Sequence, residues 1–247
     1  MNTPSAFWAV LPAAGVGRRM GGVIPKQYLD LAGQTVIDHT LGLFIADERI
    51  RGVAVALGPE DAYWGETRYA AHPKVIRAPG GAERCHSVLN ALAALDGLAR
   101  DDDWVLVHDA ARPCLRRADL DRLIESLDGD AVGGLLGIPV RDTMKREDGA
   151  GCIARTVDRA SLWHAYTPQM FRLGLLRRAL REALEANDLV TDDASAIERL
   201  GLAPRLIEGH ADNIKITRAE DLPLAHFYLQ QQGRVHGKFA FLEMDSC

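Results

Sequence analysis

The segment from Leu11 to Met20, LPAAGVGRRM, constrains this chain more than any other feature. A run of apolar residues at 7–11 is typical of a buried strand, and a loop of small residues follows it. Small residues let the backbone come close to a ligand, and consecutive backbone N–H groups can form an anion-binding concavity. Arg18, Arg19 and Lys26 follow this loop. The pattern predicts a polyphosphate site, and hence a nucleotide; the alternative is an ordinary strand-to-helix turn that carries surface arginines.

The two best-known phosphate-binding loops do not match these residues. The dinucleotide fingerprint G-x-G-x-x-G needs a glycine where Met20 stands, and the chain contains no Gly-Lys-Ser/Thr string that could end a P-loop. Lys26 lies in the polar sequence Pro-Lys-Gln-Tyr, where a lysine has no evident packing role. Lys26 therefore favours a phosphate site of another kind over a plain turn.

Short apolar runs alternate with amphipathic stretches along the chain. The runs are apolar at consecutive positions, which is typical of strands that helices bury on both faces. Strands that alternate with helices indicate a doubly wound α/β fold with a mostly parallel sheet, whose ligands bind beyond the carboxyl ends of the strands. The predicted strands are 7–11, 52–57, 74–77, 104–108, 133–138 and 204–208. The predicted helices are 36–46, 87–98, 119–127, 172–186, 192–200 and 219–232.

Residues 141–158 do not fit this alternation, because they are polar and carry Gly149 and Gly151 between two short β-forming ends. They predict a hairpin that projects from the sheet as a β-arm. An isolated hairpin is marginal in water, so we expect it to pack on something such as a second subunit; the alternative is a mobile surface loop. No repeat or linker divides the chain, so we expect one domain over 1–232. The tail at 233–247 is then either an added edge strand or a disordered end.

Composition limits the partners. The net charge of −5 argues against general nucleic-acid binding, which favours a basic face. No apolar run approaches the roughly 20 residues that cross a bilayer, and the N-terminus does not resemble a signal peptide. We therefore expect a cytoplasmic protein that binds neither membrane nor nucleic acid. The cysteines show no C-x-x-C spacing and the histidines no H-E-x-x-H pair, which disfavours a zinc or redox site. The cysteines are Cys85, Cys114, Cys152 and Cys247.

Asp109 follows the predicted strand 104–108 and so lies on the ligand side of the sheet. Mg²⁺ is commonly held by one or two carboxylates together with substrate phosphates, which makes Asp109 the best carboxylate near a metal. The alternative is an aspartate that caps its own loop. Gly80 and Gly81 allow a base or ribose to lie against the backbone, and Ser87 can donate or accept a hydrogen bond. Ser87 is equally suited to begin the next helix as its N-cap, and both roles can hold at once.

Several later residues resemble caps or surface charges when each is taken singly. Thr191 or Asp192 can cap one helix, and Thr217 can cap the last. Arg159 is ordinarily a surface charge. Lys215 is less usual, because it lies between two isoleucines in a predicted strand. A lysine there either faces outward or is aimed into a polar site.

A set of motifs runs in order along nearly the whole chain. They are P-A-A-G-x-G-R-R-M, P-K-Q-Y, G-G-x-x-R-x-x-S-V, V-H-D-A-A-R-P, P-V-R-D-T-M-K, T-V-D-R, T-P-Q, T-D-D-A-S and G-x-x-x-N-I-K-x-T. Together they closely resemble the 2-C-methyl-D-erythritol 4-phosphate cytidylyltransferase family, from residue 7 to about 231. The resemblance implies a homodimer of nucleotidyltransferase-type α/β domains that exchange arms, and the insertion at 141–158 matches that arm. It also implies CTP and a polyol phosphate as substrates and Mg²⁺, or another divalent cation, as cofactor.

The resemblance also implies roles for the matching positions of this sequence. Arg19 and Lys26 would contact the CTP phosphates and stabilise the transition state, and Arg159 and Lys215 would complete the catalytic set. Asp109 would lie near Mg²⁺ and the triphosphate. The implied nucleotide-binding positions are Pro12, Ala13, Ala14, Gly15, Gly81, Ser87, Asp109 and Ala110. The implied substrate-binding positions are Arg112, Thr143, Arg159, Thr191 and Lys215, of which Thr143 and Arg159 would come from the partner's arm.

One position departs from the family pattern. At Ala82 the family often carries an acidic residue beside the base, so base recognition would rest on the backbone and on Ser87. The implied reaction is attack by the substrate's phosphate oxygen on the α-phosphorus of CTP, which gives 4-diphosphocytidyl-2-C-methyl-D-erythritol and pyrophosphate for isoprenoid precursor biosynthesis. Cytidylyl transfer to another polyol phosphate, such as ribitol 5-phosphate, is the close alternative. A non-catalytic CTP-binding regulatory protein is the alternative of another class, and the presence of both Arg19 and Lys26 argues against it.

Overall fold

A computed structural model describes residues 5–15 and 24–236. The predictions for Arg18, Arg19, Met20 and most of the tail therefore lie outside the described residues. The strands are β1 (Phe7–Pro12), β2 (Asp30–Leu31), β3 (Gln34–Thr35), β4 (Ile50–Leu57), β5 (Val75–Pro79), β6 (Trp104–Val107), β7 (Gly133–Pro139), β8 (Met144–Glu147), β9 (Ile153–Val157), β10 (Trp163–Arg172) and β11 (Arg205–Glu208). The α-helices are α1 (Val36–Ile45), α2 (Arg84–Ala93), α3 (Arg117–Leu127), α4 (Leu173–Glu185), α5 (Asp193–Arg199) and α6 (Asp221–Gln231).

Seven strands form the central sheet in the order β11-β7-β10-β6-β1-β4-β5. Strand β1 pairs in parallel with β4 and β6, β4 pairs in parallel with β5, and β11 pairs in parallel with β7. Only β10 runs against its neighbours in this sheet, since it is antiparallel to both β6 and β7. The predicted α/β fold with a mostly parallel sheet is confirmed.

Helices cover both faces of the sheet, which explains the unbroken apolar runs. Successive side chains of a strand point to opposite faces. In β1, Ala9 and Leu11 pack with α1 and α3, whereas Trp8 and Val10 pack with α2, α4 and α5. Helix α6 contributes to a third, smaller cluster with Ile216. Within the described part of the chain, no helix is long and apolar enough to cross a membrane.

Strand β10 is missing from the sequence predictions. Its first four residues are exposed or half-buried, and only the second half, from Thr167 to Phe171, is buried. Its pairing with β7 is also interrupted between Ala165 and Gln169, where the sequence is the polar Thr-Pro-Gln. The strand therefore lacks the continuous apolar run that identifies its neighbours.

Two of the predicted helix starts are wrong. Helix α2 begins at Arg84, with Glu83 as an N-cap in extended conformation, so Ser87 lies inside the helix. The Ser87 hydroxyl instead accepts from the Gly81 N–H at 3.0 Å and donates to the Glu83 carbonyl at 3.2 Å. Helix α6 begins only at Asp221, whose carboxylate accepts from the Thr217 backbone N–H and hydroxyl at 2.7 and 3.0 Å. Ser87 and Thr217 are thus not N-caps.

The predicted cap of α5 is confirmed. The Asp192 side chain accepts from the Ser195 backbone N–H at 3.0 Å, and these two residues form a reciprocal capping box. Because a cap satisfies N–H groups that have no partner within the helix, it fixes where α5 starts. Thr191 stands directly before this cap and is exposed.

The hairpin predicted within 141–158 is present as β8 and β9, which pair antiparallel. In its turn, Gly149 and Gly151 have φ values of +91° and +84°, which glycine adopts without strain. Residues 141–156 are all exposed, so this arm has no buried face of its own in the described chain. The segment is thus a paired hairpin, and what the arm packs against stays a prediction.

Candidate active site

A cavity opens at the carboxyl ends of β1 and β6, where a doubly wound sheet binds its ligands. The loop after β1, the loop after β6 and the start of α2 form its walls. Its lining residues are Pro12, Ala13, Ala14, Gly15, Lys26, Gln27, Gly81, Ala82, Glu83, Arg84, Ser87, Asp109, Ala110, Ala111 and Lys215. All eight predicted nucleotide-binding positions line this one cavity, together with Lys26 and Lys215.

The loop of small residues after β1 is held from two sides. The Ala13 N–H donates to the Ala56 carbonyl at 2.8 Å, and the buried Gln27 side chain donates to the Ala13 carbonyl at 2.7 Å. Gly80 packs directly against this loop: a Cβ at Gly80 would lie 2.2 Å from the Ala14 Cβ. Gly80 is therefore required for the close approach of two backbone segments. Gln27, which the sequence analysis did not single out, fixes the loop beside it.

Lys26 lies in a short 3₁₀ helix, Lys26–Tyr28, at the edge of the cavity. Its Nζ donates to the Ile216 carbonyl at 2.8 Å. The backbone N–H of the same residue, Ile216, donates to the Ala111 carbonyl at 2.9 Å. These two bonds hold the segment around Ile216 at the cavity and so bring Lys215 close to Lys26. The prediction that Lys215 lies in a strand is wrong: its neighbouring isoleucine is apolar because it packs beside α6, not because it belongs to the sheet.

Asp109 is surrounded by three cations. Its carboxylate oxygens lie 2.9 Å from Lys215 Nζ, 3.2 Å from Arg84 Nε and 3.3 Å from Arg112 Nε. Burial raises the pKa of the Asp109 carboxyl, but Arg84, Lys215 and Arg112 outweigh burial and hold that pKa well below its usual range. Asp109 is therefore ionised. Even when the carboxylate of Asp193 on the far side of Arg84 is counted, these five groups carry net positive charge beside the cavity.

His108 braces the backbone under Asp109. Its Nε2 lies 3.0 Å from the Arg112 carbonyl, which can only accept, so Nε2 carries the proton. Its Nδ1 then accepts from the Thr167 hydroxyl at 2.9 Å, and that hydroxyl accepts from the Asp109 N–H at 3.2 Å. Burial lowers the pKa of His108 to about 4, so the ring is neutral near pH 7. Both ring nitrogens are used, and His108 cannot serve as a base in the cavity.

Arg84 is the most consequential residue that the sequence analysis left unassigned. Besides Asp109, it contacts Asp193 at the start of α5, with Nη2 2.7 Å from Asp193 Oδ2. Asp193 is fully buried, and burial outweighs Arg84 and raises the pKa of this carboxyl above its usual value. Arg84 can be recognised in the sequence as part of the G-G-x-x-R motif. Its pairing with Asp193 cannot be predicted from the sequence, because the two residues are far apart in the chain.

Four predicted residues lie away from the cavity or outside the description. Arg19 is outside the described residues. Thr143 and Arg159 are exposed on and beside the arm, and Thr191 is exposed before α5. None of the last three lines the cavity of its own chain.

Arg112 does not line the cavity either, but it adjoins it. Its guanidinium contacts Asp109, donates to the Asn213 carbonyl at 2.7 Å and lies 4.9 Å from the centre of the Tyr166 ring. No cluster of three or more His, Cys, Asp or Glu side chains suited to a metal occurs in the described ranges.

The cavity combines a loop of small residues, two lysines and a cation-bound carboxylate at the carboxyl ends of parallel strands. This combination indicates the nucleotidyltransferase class. The model of the family described as "IspD: 2-C-methyl-D-erythritol 4-phosphate cytidylyltransferase" matches residues 7–231. The chain belongs to this family.

Individual relatives agree with that assignment. The 2-C-methyl-D-erythritol 4-phosphate cytidylyltransferase of Pseudomonas putida strain GB-1 is 59% identical over 223 residues, which cover 90% of this chain and 95% of the relative. The enzyme of that name from Pseudomonas aeruginosa is 59% identical over 218 residues, covering 88% and 93%. Among solved structures, a 4-diphosphocytidyl-2C-methyl-D-erythritol synthase is 42% identical with a TM-score of 0.80, covering 92% of this chain and 100% of that one. The Francisella tularensis enzyme is 37% identical with a TM-score of 0.80, covering 91% and 100%.

Proposed function

We propose that this enzyme transfers the cytidylyl group of CTP to 2-C-methyl-D-erythritol 4-phosphate, giving 4-diphosphocytidyl-2-C-methyl-D-erythritol and pyrophosphate for isoprenoid biosynthesis. The observation that carries the proposal is the cavity itself. It brings Lys26, Lys215, Arg84 and Asp109 together with the loop Ala13–Gly15, in a chain of the cytidylyltransferase family. No observation favours transfer to ribitol 5-phosphate or a purely regulatory role.

The chemistry needs charge and alignment more than proton transfer. An acceptor phosphate oxygen attacks the α-phosphorus of CTP, a new P–O bond forms, and the bond to the bridging oxygen breaks as pyrophosphate leaves. The nucleophile is already anionic, so no general base is required, in keeping with the neutral, fully bonded His108. Positioning and charge neutralisation supply most of the catalysis in such transfers. We assign these tasks to Lys26 and Arg19 at the triphosphate and to Lys215 between the two anionic reactants.

We propose that the base and sugar of CTP lie against the backbone of the nucleotide-binding positions. The Ser87 hydroxyl is already committed to Gly81 and Glu83, so its main effect is to hold the Gly81 segment in place. Ala82 adds no polar group. Backbone N–H and C=O groups of the two loops would then discriminate the base, with Ser87, which was also expected to contribute, acting through the Gly81 segment.

Asp109 fits a role beside Mg²⁺. Its Oδ1 accepts a hydrogen bond from Arg84 at 3.2 Å, and a carboxylate oxygen has more than one lone pair, so an ionised Asp109 at the cavity wall can also face an ion. One carboxylate together with substrate phosphates is a common Mg²⁺ environment. We propose that Asp109 holds the ion with the triphosphate. The ion would neutralise phosphate charge, while Lys26 and Lys215 orient the phosphates.

We further propose that the acceptor site is completed by a second subunit in an arm-exchanged homodimer. Thr143 and Arg159 do not line their own cavity, and the arm exposes Met144 and Ile153. Thr191, Arg112 and Lys215 would come from the subunit that binds CTP. A reducing, cytoplasmic location is supported by the free thiols of Cys85, Cys114 and Cys152.

Pyrophosphate release tests the function. Purified protein is incubated with Mg²⁺, CTP or UTP, and one acceptor from a panel that includes 2-C-methyl-D-erythritol 4-phosphate and ribitol 5-phosphate, and products are weighed by mass spectrometry. We expect release with CTP and the methylerythritol phosphate, and little with the other pairs. Faster release with ribitol 5-phosphate would reassign the acceptor. CTP binding without release from any acceptor would favour the regulatory alternative.

A further inference from the structure

Arg84 joins two parts of the site that are far apart in sequence. Its guanidinium lies between Asp109, which follows β6, and Asp193, which begins α5. Nε is 3.2 Å from Asp109 and Nη2 is 2.7 Å from Asp193, which stands 109 residues later in the chain. The planar fork of an arginine can hold two carboxylates at once, which a lysine ammonium on a single stem does less well. The contact thus ties the nucleotide cavity to α5.

Asp193 depends on this contact. Its side chain is fully buried, and Arg84 is its only ion-pair partner in the part of the chain that the structure describes. Its Oδ1 has no hydrogen-bond donor there. A buried carboxylate that loses its single cation becomes strongly unfavourable, so Arg84 holds the Asp193 side chain in place.

The start of α5 has a second support, which does not reach the cavity. The Gln169 side chain of β10 accepts from the Ala194 N–H at 2.7 Å and donates to Asp192 at 2.8 Å. These bonds fix α5 against the sheet. Arg84 alone among these contacts also lines the cavity, so it sets the distance between the nucleotide and the segment that carries Thr191.

We propose that Arg84 and Asp193 are a positioning pair that aligns the acceptor-binding segment at Thr191 with the bound nucleotide. The inference rests on the acceptor role given to Thr191 under the proposed function. We expect loss of Asp193 to act on the acceptor side, because Asp109 still pairs with Arg84 when Asp193 is removed. Arg84 acts on both sides.

Steady-state kinetics with both substrates varied test the pair. We expect Asp193→Ala to raise the KM for the acceptor at least about tenfold and to leave the KM for CTP within about twofold, since residues in contact couple by amounts of this size. Asp193→Asn keeps an oxygen that can accept from Arg84, so it should restore part of the loss. Arg84→Lys should raise both KM values.

A matched control separates positioning from folding. Asp47 is also a buried carboxylate paired with arginines, Arg49 and Arg117, but it lies between α1 and β4, at the opposite end of the sheet from the cavity. Asp47→Ala should lower the melting temperature and change neither KM.

A double variant tests whether Asp193 acts through Thr191. If it does, Asp193→Ala combined with Thr191→Ala should raise the acceptor KM by less than the product of the single effects. The proposal would be wrong if Asp193→Ala raised both KM values equally or changed neither. It would also be wrong if the effects of Asp193→Ala and Thr191→Ala on the acceptor KM were fully multiplicative. If Asp193→Ala does not fold, Asp193→Asn decides, and an unchanged acceptor KM overturns the proposal. A parent enzyme that is inactive with this acceptor would instead contradict the proposed function, before any variant is compared.

Discussion

The nucleotide cavity and the arm at 141–158 differ in how strongly the surrounding chain fixes their side chains. In the cavity, Asp109 is 7% exposed and contacts three cations from three different parts of the chain. In the arm, Ile153 is 67% exposed, and the side-chain contacts, such as Lys145 with Thr156 and Arg159 with the Arg141 carbonyl, stay within the arm and its base. The ion pairs around Asp109 form within one chain, whereas Thr143 and Arg159 on and beside the arm do not line the cavity of their own chain.

The difference shows which contacts fix the side-chain positions in each region. Buried charges are costly unless they are paired, so the cavity's ion pairs fix their partners. Exposed pairs contribute little, typically about 0–1 kcal/mol, so the arm's own contacts cannot fix Thr143 or Arg159 for catalysis. A second subunit would supply the missing constraint. Loss of a cavity residue should thus damage its own chain's site, and loss of an arm residue its partner's.

Lys26→Ala is expected to have the largest effect. Removal of one preorganised contact to the transition state typically lowers turnover by about 10²–10³. The fold should survive, because Lys26 lies at the cavity edge rather than in the core. The matched control is Lys74→Ala: Lys74 also donates to backbone carbonyls, those of Ile45 and Asp47 at 3.0 and 2.9 Å, but lies away from the cavity. Turnover of Lys26→Ala within a few-fold of the control would exclude the role assigned to Lys26.

Mixed dimers test whether the arm acts on the partner. Arg159→Ala and Lys26→Ala are each expected to be nearly inactive. If the arm reaches across, one site of a mixed dimer carries both defects and the other is intact. Equal mixing makes half of the dimers mixed, so about a quarter of the parent activity should return.

The arrangement within one subunit gives the opposite result. If Arg159 serves its own chain's site, every site of a mixed dimer carries one defect and no activity returns. If mixed dimers are confirmed by mass and lack activity, the hypothesis of a site shared between subunits would be wrong. Each active site would then be built from one chain.

Most of the sheet could be predicted because strands buried on two faces leave a local signal. The apolar runs of β1 and β4 are examples: their alternate residues enter two different helix layers. Strand β10 could not be found in this way, since half of it lies outside the core and its centre is polar. Helix starts failed where capping is not local: Glu83 begins α2 without a side-chain bond, while Ser87 supports a neighbouring loop.

The site shows the same division. Lys26, Asp109 and Lys215 were predicted from their motifs, and the structure brings them together. The contact between Arg84 and Asp193 depends on how α2 and α5 pack, and no local pattern encodes it. His108 was visible in the sequence, but its bracing role depends on Thr167 of β10, a strand that was not predicted.

His108 gives the buried region a pH dependence between pH 7 and 4. Its folded pKa of about 4 lies below the ordinary value of 6.5, because burial disfavours the charged ring. As pH falls through 6.5 the unfolded chain gains a proton that the folded chain does not, so stability falls until pH reaches about 4. The loss amounts to roughly 3 kcal/mol.

Urea unfolding of the parent and of His108→Gln at several values between pH 7 and 4 measures this effect. The variant should be less stable at pH 7, because glutamine cannot reproduce both ring contacts. As the pH is lowered from 7 to 4, the unfolding free energy of the variant should also decrease less than that of the parent. Equal slopes for the two proteins would show that His108 does not contribute the expected proton linkage.

The smallest effect is expected when the same substitution, isoleucine to valine, is made in the core and in the arm and the unfolding free energies are compared. Ile50→Val removes a methylene from a fully buried side chain and should cost about 0.5–1.5 kcal/mol of unfolding free energy. Ile153→Val makes the same change at the exposed arm and should stay within about 0.5 kcal/mol at protein concentrations where the chain is monomeric. At higher concentration the Ile153 variant should weaken the dimer, because the arm then packs on its partner. Equal costs for both variants in the monomer would mean that the arm folds back onto its own chain, and the contrast between a self-contained cavity and a shared arm would be lost.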